Sequence, residues 1–250
     1  MIETKFPNPM ITIHSNFRVI ALLPKVLLLE WEEQPSEKLL EFLLSYKAVI
    51  EKQIKVTRCV MGYQSLMVHL LEDIEKLDWW KQHLNKLLIK TKKQKQRKGK
   101  HWNIPVCYDL DHAPDLATLA NAVQKSVEEV IALHTQKPYR IYFLGFLPGF
   151  LYLCGLDKQL HFPRKEKPLL EVPKGSIGIG GVQTGIYPNS SPGGWHLIGR
   201  TPLSLFDAKL QSPCFAAPGD WISFKSIDSK TFEIIDKQSN QGTYQIKPYD

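Results

Sequence analysis

The chain lacks most of the features that sort a protein quickly. Its four cysteines in 250 residues, Cys59, Cys107, Cys154 and Cys214, stand far apart, with no CxxC pair and no paired-histidine motif. That spacing argues against a disulfide framework or a zinc site and fits reduced, mostly buried thiols of a cytoplasmic protein. Long apolar runs are missing as well. The longest, Val19 to Trp31, is broken by Pro24 and Lys25, so no membrane-spanning helix is expected. The opening MIETKFPNPM has no basic stretch leading into an apolar core, so no secretory leader is expected. No period recurs along the chain, which argues against a solenoid or propeller. What is present is ordinary: 43% hydrophobic and 23% charged residues, with a mean hydropathy of -0.22. Such a composition buries enough apolar surface to offset chain entropy.

The net charge of +7 belongs to one segment. Lys90 to Lys100 (KTKKQKQRKGK) holds seven basic residues and no acid; the rest balances at 25 against 25. The run has no interleaved aromatics on which bases could stack, and two regions of different composition meet there. It reads as a solvated linker over 91–101, and no nucleic-acid or membrane partner is expected.

Residues 1–90 read as a mixed α and β domain. Val26 to Trp31 has strand length, and Ser36 is placed to cap a helix from Glu37 to about Glu51 with Leu39, Leu40, Leu43 and Leu44 at helical spacing. Lys55 to Met61 and Leu66 to Leu71 make a hairpin around Gly62, Tyr63 and Gln64. A second helix over Ile74 to Ile89 carries Leu77, Trp80, Leu84, Leu87 and Leu88 on its apolar side. The order β-α-β-β-α, with room for a further strand, suggests a ferredoxin-like sandwich. Nothing catalytic stands out in it.

Residues 102–250 differ sharply. Eleven of the 15 glycines fall between Gly145 and Gly199, and ten of the 17 prolines between Pro138 and Pro218. Short β-branched runs among them predict many short strands, hence a barrel or sandwich. Only Asp115 to Leu133 reads as helical here, with Ser126 and Glu129 as a capping box opening a helix that ends near His134.

The glycine segment Gly175-Ser-Ile-Gly-Ile-Gly-Gly-Val-Gln-Thr-Gly185 is neither a Walker loop nor a dinucleotide fingerprint. No Gly-Lys-Ser/Thr follows, and Gln183 stands where the last glycine of GxGxxG belongs. Glycines alternating with Ile177 and Ile179 predict a strand with one face kept flat for another backbone or a ligand. No GxSxG elbow exists, and Ser190-Ser191 runs into a Pro-Gly-Gly turn. His134, His161 and His196 are candidates for proton transfer or for structural hydrogen bonds. Three clusters remain: Gly145 to Leu153, Gln183 to Pro188, and Ser191 to Trp195 continuing to Gly199-Arg-Thr-Pro202. Their mixture suits a small-molecule pocket, a partner groove, or tight turns around an aromatic core.

At these clusters, FLGFLPGFLYLCGLD and then PRKEKPLLEVPKGSIGIGGVQTGIYPNSSPGGWHLIGRTPLSLFD, the chain resembles the allophanate hydrolase subunit 1 family. That family includes the B subunits of 5-oxoprolinase and the sporulation-kinase inhibitor Kip I. The resemblance runs from Ile104 to about Phe224 and is loose before residue 100. It departs from the family's Gly-Asp before the early strand, where Leu23-Pro24-Lys25 stands. The family's PRR and PR become Pro163-Arg164-Lys165 and Pro168-Leu169. The resemblance implies an α+β chain with a ferredoxin-like N-terminal domain and a cyclophilin-like β-barrel. It implies a component of ATP-dependent 5-oxoprolinase, inactive alone and working with a C-type partner (allophanate hydrolase subunit 2-like) and an A-type partner. ATP, with Mg, would be used by the complex and not held tightly by this chain. The alternatives are the carboxyltransferase half of a urea carboxylase-like system and an inhibitor of a sensor histidine kinase. His134 and Gln183 are the expected catalytic residues, and Phe150, Arg164, Tyr187 and Trp195 the expected substrate-binding ones. All six are expected on one face of the barrel, His134 either as the proton-transfer group or as a tie between its helix and the barrel.

Overall fold

The computed structural model describes residues 16–91 and 98–249. The chain divides between residues 97 and 98 into two compact units. Among the described residues no helix is long and apolar enough to cross a membrane.

The N-terminal unit runs β1 (Phe17–Leu23), β2 (Val26–Trp31), α1 (Glu37–Gln53), β3 (Val56–Met61), β4 (Ser65–Leu70) and α2 (Leu77–Thr91). The strands form one antiparallel sheet in the order β1-β2-β4-β3. Pro24 and Lys25, which interrupt the longest apolar run, are the turn between β1 and β2. The further strand thus precedes the β-α-β-β-α series and lies at the sheet edge beside β2. Alternation sends Leu27, Leu29 and Trp31 into the core with Phe42 and Tyr46 of α1, all fully buried. Ser36 caps α1 by accepting the Leu39 N–H at 3.2 Å, and the Tyr46 hydroxyl ties α1 to α2 through the Leu84 carbonyl at 2.8 Å. The basic run begins inside α2, which includes Lys90 and Thr91. Residues 92–97, the middle of the expected linker, lie outside the described residues.

The C-terminal unit continues with β5 (His101–Cys107), α3 (Leu116–Ala122), α4 (Val127–Thr135), β6 (Tyr139–Leu144), β7 (Leu151–Cys154), β8 (Leu169–Val172), β9 (Ser176–Gly180), β10 (Gln183–Ile186), β11 (Ser191–Gly193), β12 (His196–Arg200), β13 (Trp221–Ile227), α5 (Ser229–Asn240) and β14 (Pro248–Tyr249). The chain is therefore α+β with a barrel. Seven strands follow one another as β12-β9-β10-β7-β6-β13-β5, and Arg200 opposite Cys107 closes the ring. The first part of the same β5 edge is taken by β14, and β8 pairs with β11 as a small separate ribbon. The barrel is filled by Ile104, Val106, Ile141, Ile177, Ile179, Ile198 and Phe224, all fully buried.

Two helical expectations need correction. The stretch from Asp115 is two helices, because Gln124 turns left-handed (φ +56°) and the Lys125 N–H reaches back to Ala120 O. The capping box of Ser126 and Glu129 opens the second. A further helix, α5, was not expected. Asp228 caps it by accepting the Thr231 N–H at 2.7 Å, and its short apolar side is buried Phe232 with partly buried Ile235, which packs on the barrel core.

Candidate functional site

The glycines of β9 and β10 make room for one indole. Ile177 and Ile179 point into the barrel, so Gly178 and Gly180 present bare backbone on the outer face. Trp195, only 4% exposed, lies over that surface. A methyl group added at Gly180 would come within 2.6 Å of its Nε1, one at Gly185 within 2.9 Å of Cζ3, and one at Gly178 within 3.0 Å of Cβ. The flat face predicted from the sequence is thus real, and its occupant is this chain's own side chain. A phosphate cradle does not fit here, because the indole already fills the space those glycines open.

Around Trp195 stand Phe150 and Tyr187, edge-on to each other (4.9 Å, 84°), with Phe150 also edge-on to the indole (5.6 Å, 83°). Tyr152 tilts against Phe150 at 4.7 Å. Together with Phe146, Arg164 and the Pro192–Gly194 segment at the end of β11 they line a cleft of about 330 Å³. The Pro-Gly-Gly turn expected after Ser191 is instead the end of β11, and Gly193 is needed there because a Cβ would sit 2.5 Å from the Tyr187 hydroxyl. Burial pushes the Tyr187 phenol up to about 12, against the lowering pull of the Trp195 backbone N–H and Arg164. The phenol therefore keeps its proton at neutral pH and can donate it into the cleft.

Arg164 supplies the charge. Its guanidinium lies 5.7 Å from the Trp195 ring, and it makes no ion pair among the described residues. The loop carrying it is fastened on both sides. The Lys165 ammonium meets Asp115 Oδ1 at 2.6 Å, and the Lys165 N–H donates to Gly194 O at 2.8 Å. Asp115 Oδ2 accepts the Leu197 N–H at 2.7 Å, and His196 Nε2 donates to Pro163 O at 3.0 Å. Lys165, standing in place of a family arginine, is thus spent on Asp115 and leaves Arg164 as the cation facing the aromatic wall.

Of the six residues expected to converge, Phe150, Arg164, Tyr187 and Trp195 do. Gln183 opens β10 on the same outer face, opposite Gly180, but is not among the residues lining the cleft. His134 is on the other side of the sheet, fully buried and flat against Phe224 (4.6 Å, 15°). Thr184 Oγ1 donates its single proton to Gly178 O, so it accepts from His134 Nε2–H at 3.0 Å. Nδ1 must then accept from the Tyr108 hydroxyl at 2.8 Å. Both nitrogens are committed, and burial drives the pKa down to about 3. The expectation of His134 as a proton-transfer group in the cleft is corrected: it ties α4 to the barrel as a neutral core group. His161 likewise meets a backbone carbonyl, Leu156 O, at 3.3 Å.

Three contributors were missed in the sequence. Tyr152 and Phe146 lay inside a cluster already singled out, but nothing ranked them above their neighbours. Asp115 carried no signal at all, because its partners lie 50 and 82 residues away. Phe146 is also one of two non-glycine residues at positive φ (+65°) among the described residues, 64% exposed at the lip of the cleft.

Comparison with known proteins agrees with this architecture. Residues 17–216 match the family described as carboxyltransferase domain, subdomain C and D. The 5-oxoprolinase B subunit of Bacillus subtilis (strain 168) is 47% identical over 137 residues, 55% of this chain and 57% of that protein. The chain thus matches less than two thirds of that relative's length. The protein of the same name from Escherichia coli O157:H7 is 40% identical over 169 residues, 68% of this chain and 72% of that one. Among solved structures, the K. lactis urea amidolyase superposes with a TM-score of 0.73 over 97% of this chain and 17% of its own, at 19% identity, a likeness of fold. The chain belongs to the carboxyltransferase domain, subdomain C and D, family, alongside the proteins named as B subunits of 5-oxoprolinase.

Proposed function

We propose that the chain is the B subunit of an ATP-dependent 5-oxoprolinase and that the Trp195 cleft holds the cyclic amide. The observation that carries this reading is an arginine, without an ion pair among the described residues, set against a wall of aromatic rings in a cleft of small-molecule size. Arg164 pairs with the carboxylate of 5-oxoproline, and the rings of Phe150, Tyr187 and Trp195 pack against its apolar side. The Tyr187 hydroxyl, held protonated, donates to the lactam carbonyl and takes the role expected of Gln183. An amide carbonyl resists attack by water because resonance stabilises it. A phosphoryl group from ATP, with Mg, removes that stabilisation. The glycines here are covered by Trp195, so that donor belongs on partner chains of the C-type (allophanate hydrolase subunit 2-like) and A-type kinds, and this chain alone has negligible turnover. Its own work is to bind, orient and shield the substrate. The reading places the complex in the cytoplasm. It also takes the C-terminal barrel as cyclophilin-like and the N-terminal unit as ferredoxin-like, with the last strand supplied from the N-terminal side.

Isothermal titration with 5-oxoproline tests this, followed by turnover in the complex reconstituted with the A-type and C-type partners. Arg164→Gln is expected to weaken binding and raise KM by about tenfold or more, since a charge-assisted pair contributes about 1.5–3 kcal/mol. Unchanged affinity and KM would remove the cleft from the reaction. A second reading, carboxyl transfer to a urea-like amide, is favoured by the family's description and the urea amidolyase fold. Binding of urea but not 5-oxoproline would select it.

A further inference from the structure

The outer face of the sheet brings a further polar group to the Trp195 cleft. On β7, Leu151 and Leu153 point into the barrel and Tyr152 points outward. Register sets Tyr152 opposite Gly185 of β10 on one side and Phe143 of β6 on the other. Phe143 stacks flat on its ring (4.2 Å, 13°). The Trp195 indole, let in by the bare backbone of Gly185, stands edge-on to it (5.8 Å, 80°). A ring clamped between two others holds its hydroxyl in one place. That hydroxyl is unspent: Tyr152 lines the cleft, is half-buried and makes no hydrogen bond among the described residues. It neighbours the other polar groups of the cleft, since Arg164 acts on its phenol and it acts in turn on that of Tyr187. Burial pushes the Tyr152 phenol up, against the lowering pull of Arg164, so it keeps its proton at neutral pH. The two phenols are not equivalent. The Trp195 backbone N–H already donates to the Tyr187 oxygen and leaves Tyr187 its proton to give, whereas the lone pairs of Tyr152 are open.

We propose that Tyr152 is a specificity-determining residue of the cleft, accepting the ring N–H of the cyclic amide while Tyr187 donates to its carbonyl. The inference rests on the reading of this cleft as the 5-oxoproline site and adds which part of the ring is recognised. A small ring forces its amide cis, so the N–H and the C=O lie on one edge. Reading that edge takes one acceptor and one donor side by side, and the two phenols supply them. Such a pair separates a cyclic amide from a ring of the same shape that lacks the N–H, because only the amide completes both bonds.

The test is isothermal titration of the full chain with 5-oxoproline and with its lactone counterpart, 5-oxotetrahydrofuran-2-carboxylate, in which a ring oxygen replaces the N–H. Tyr152→Phe keeps the ring and its stacking and removes the hydroxyl alone. It is expected to weaken binding of 5-oxoproline by about threefold to tenfold, the range of a neutral hydrogen bond, and to leave the lactone within about twofold. Tyr187→Phe removes a contact to the carbonyl that both ligands carry and should weaken both. A Tyr152→Phe variant that binds 5-oxoproline as the parent does, or that loses both ligands alike, would overturn the proposal and leave the reading of the cleft standing. A parent chain that binds neither ligand would overturn both.

Discussion

The two faces of β9 and β10 make opposite environments from the same nine residues. Inside the barrel, Ile177 and Ile179 join the apolar core, and Thr184 hydrogen-bonds the fully buried His134. Outside, Gly178, Gly180 and Gly185 leave a surface on which Trp195 lies and against which a cleft stays open. The difference shows what the glycines do. Side chains on both faces would make an ordinary buried strand pair, whereas side chains on one face alone let a large ring approach the backbone and serve as the floor of a site. It also separates two groups that the sequence presents as equals. His134 and Arg164 both look functional, yet the sheet places one among sealed partners and the other beside open aromatic faces.

The largest effect should come from filling the outer face. Gly180→Val puts methyl groups into the pyrrole edge of Trp195 and forces the indole out of its seat. Losing that burial should cost about 3 kcal/mol, comparable to deleting a core aromatic. Loss of near-ultraviolet circular dichroism and of ligand binding together would show it. A variant that keeps both would mean that Trp195 does not rest on the glycines.

The inner face is tested by pH. His134 has its pKa lowered from the ordinary 6.5 to about 3 in the folded chain. The unfolded chain therefore binds the extra proton between those values. Stability from this group is present above about pH 6.5 and falls by about 1.4 kcal/mol per pH unit as pH drops toward 3. His134→Gln should cost about 2 kcal/mol at pH 7 through its lost partners, yet show a shallower loss between pH 6.5 and 5. Urea midpoints at the two pH values decide it. Equal slopes in both proteins would mean that the histidine is solvated.

The same two faces explain which features were legible in the sequence. The alternation of Gly with Ile announced a strand with a flat face, and the capping signals of Ser36 and Ser126 located helix starts, because these patterns are local. The aromatic clusters were recognisable as site material for the same reason. What could not be read was the side of the sheet on which each polar group falls. His134 lies next to Thr184 through a contact 50 residues long, and Asp115 reaches Leu197 across 82. β1 and α5 escaped for a related reason. Pro24 marked an interruption without saying that the chain reverses there, and the apolar side of α5 is short, Phe232 with Ile235.

Asp115 allows a gentler test of the outer face. Asp115→Asn removes the charge opposite Lys165 while leaving an oxygen for the Leu197 N–H, so the fold should lose only about 1 kcal/mol. The loop bearing Arg164 loses its anchor, and affinity for the cleft's ligand should fall several-fold. If thermal stability falls but affinity holds, the Arg164 loop is fastened by its backbone bonds to Gly194 and His196 alone.

The smallest effect concerns the lip of the cleft, and it is a reversal of rank. Phe146 is held at φ +65°, a conformation that costs an L-residue about 1 kcal/mol and glycine nothing. Elsewhere on a surface, alanine is more stable than glycine, because glycine loses more chain entropy on folding. At this position both substitutions give up the edge contact with Phe150 (5.9 Å, 88°), but only glycine also sheds the backbone strain. Phe146→Gly should therefore lie within about 0.5 kcal/mol of the parent and melt no lower than Phe146→Ala, with both losing the same part of the cleft wall. Thermal denaturation of the three proteins side by side reads this directly. An alanine variant clearly more stable than the glycine one would show that the backbone relaxes out of the left-handed region once the ring is gone, and that the ring's contacts hold the strain in place.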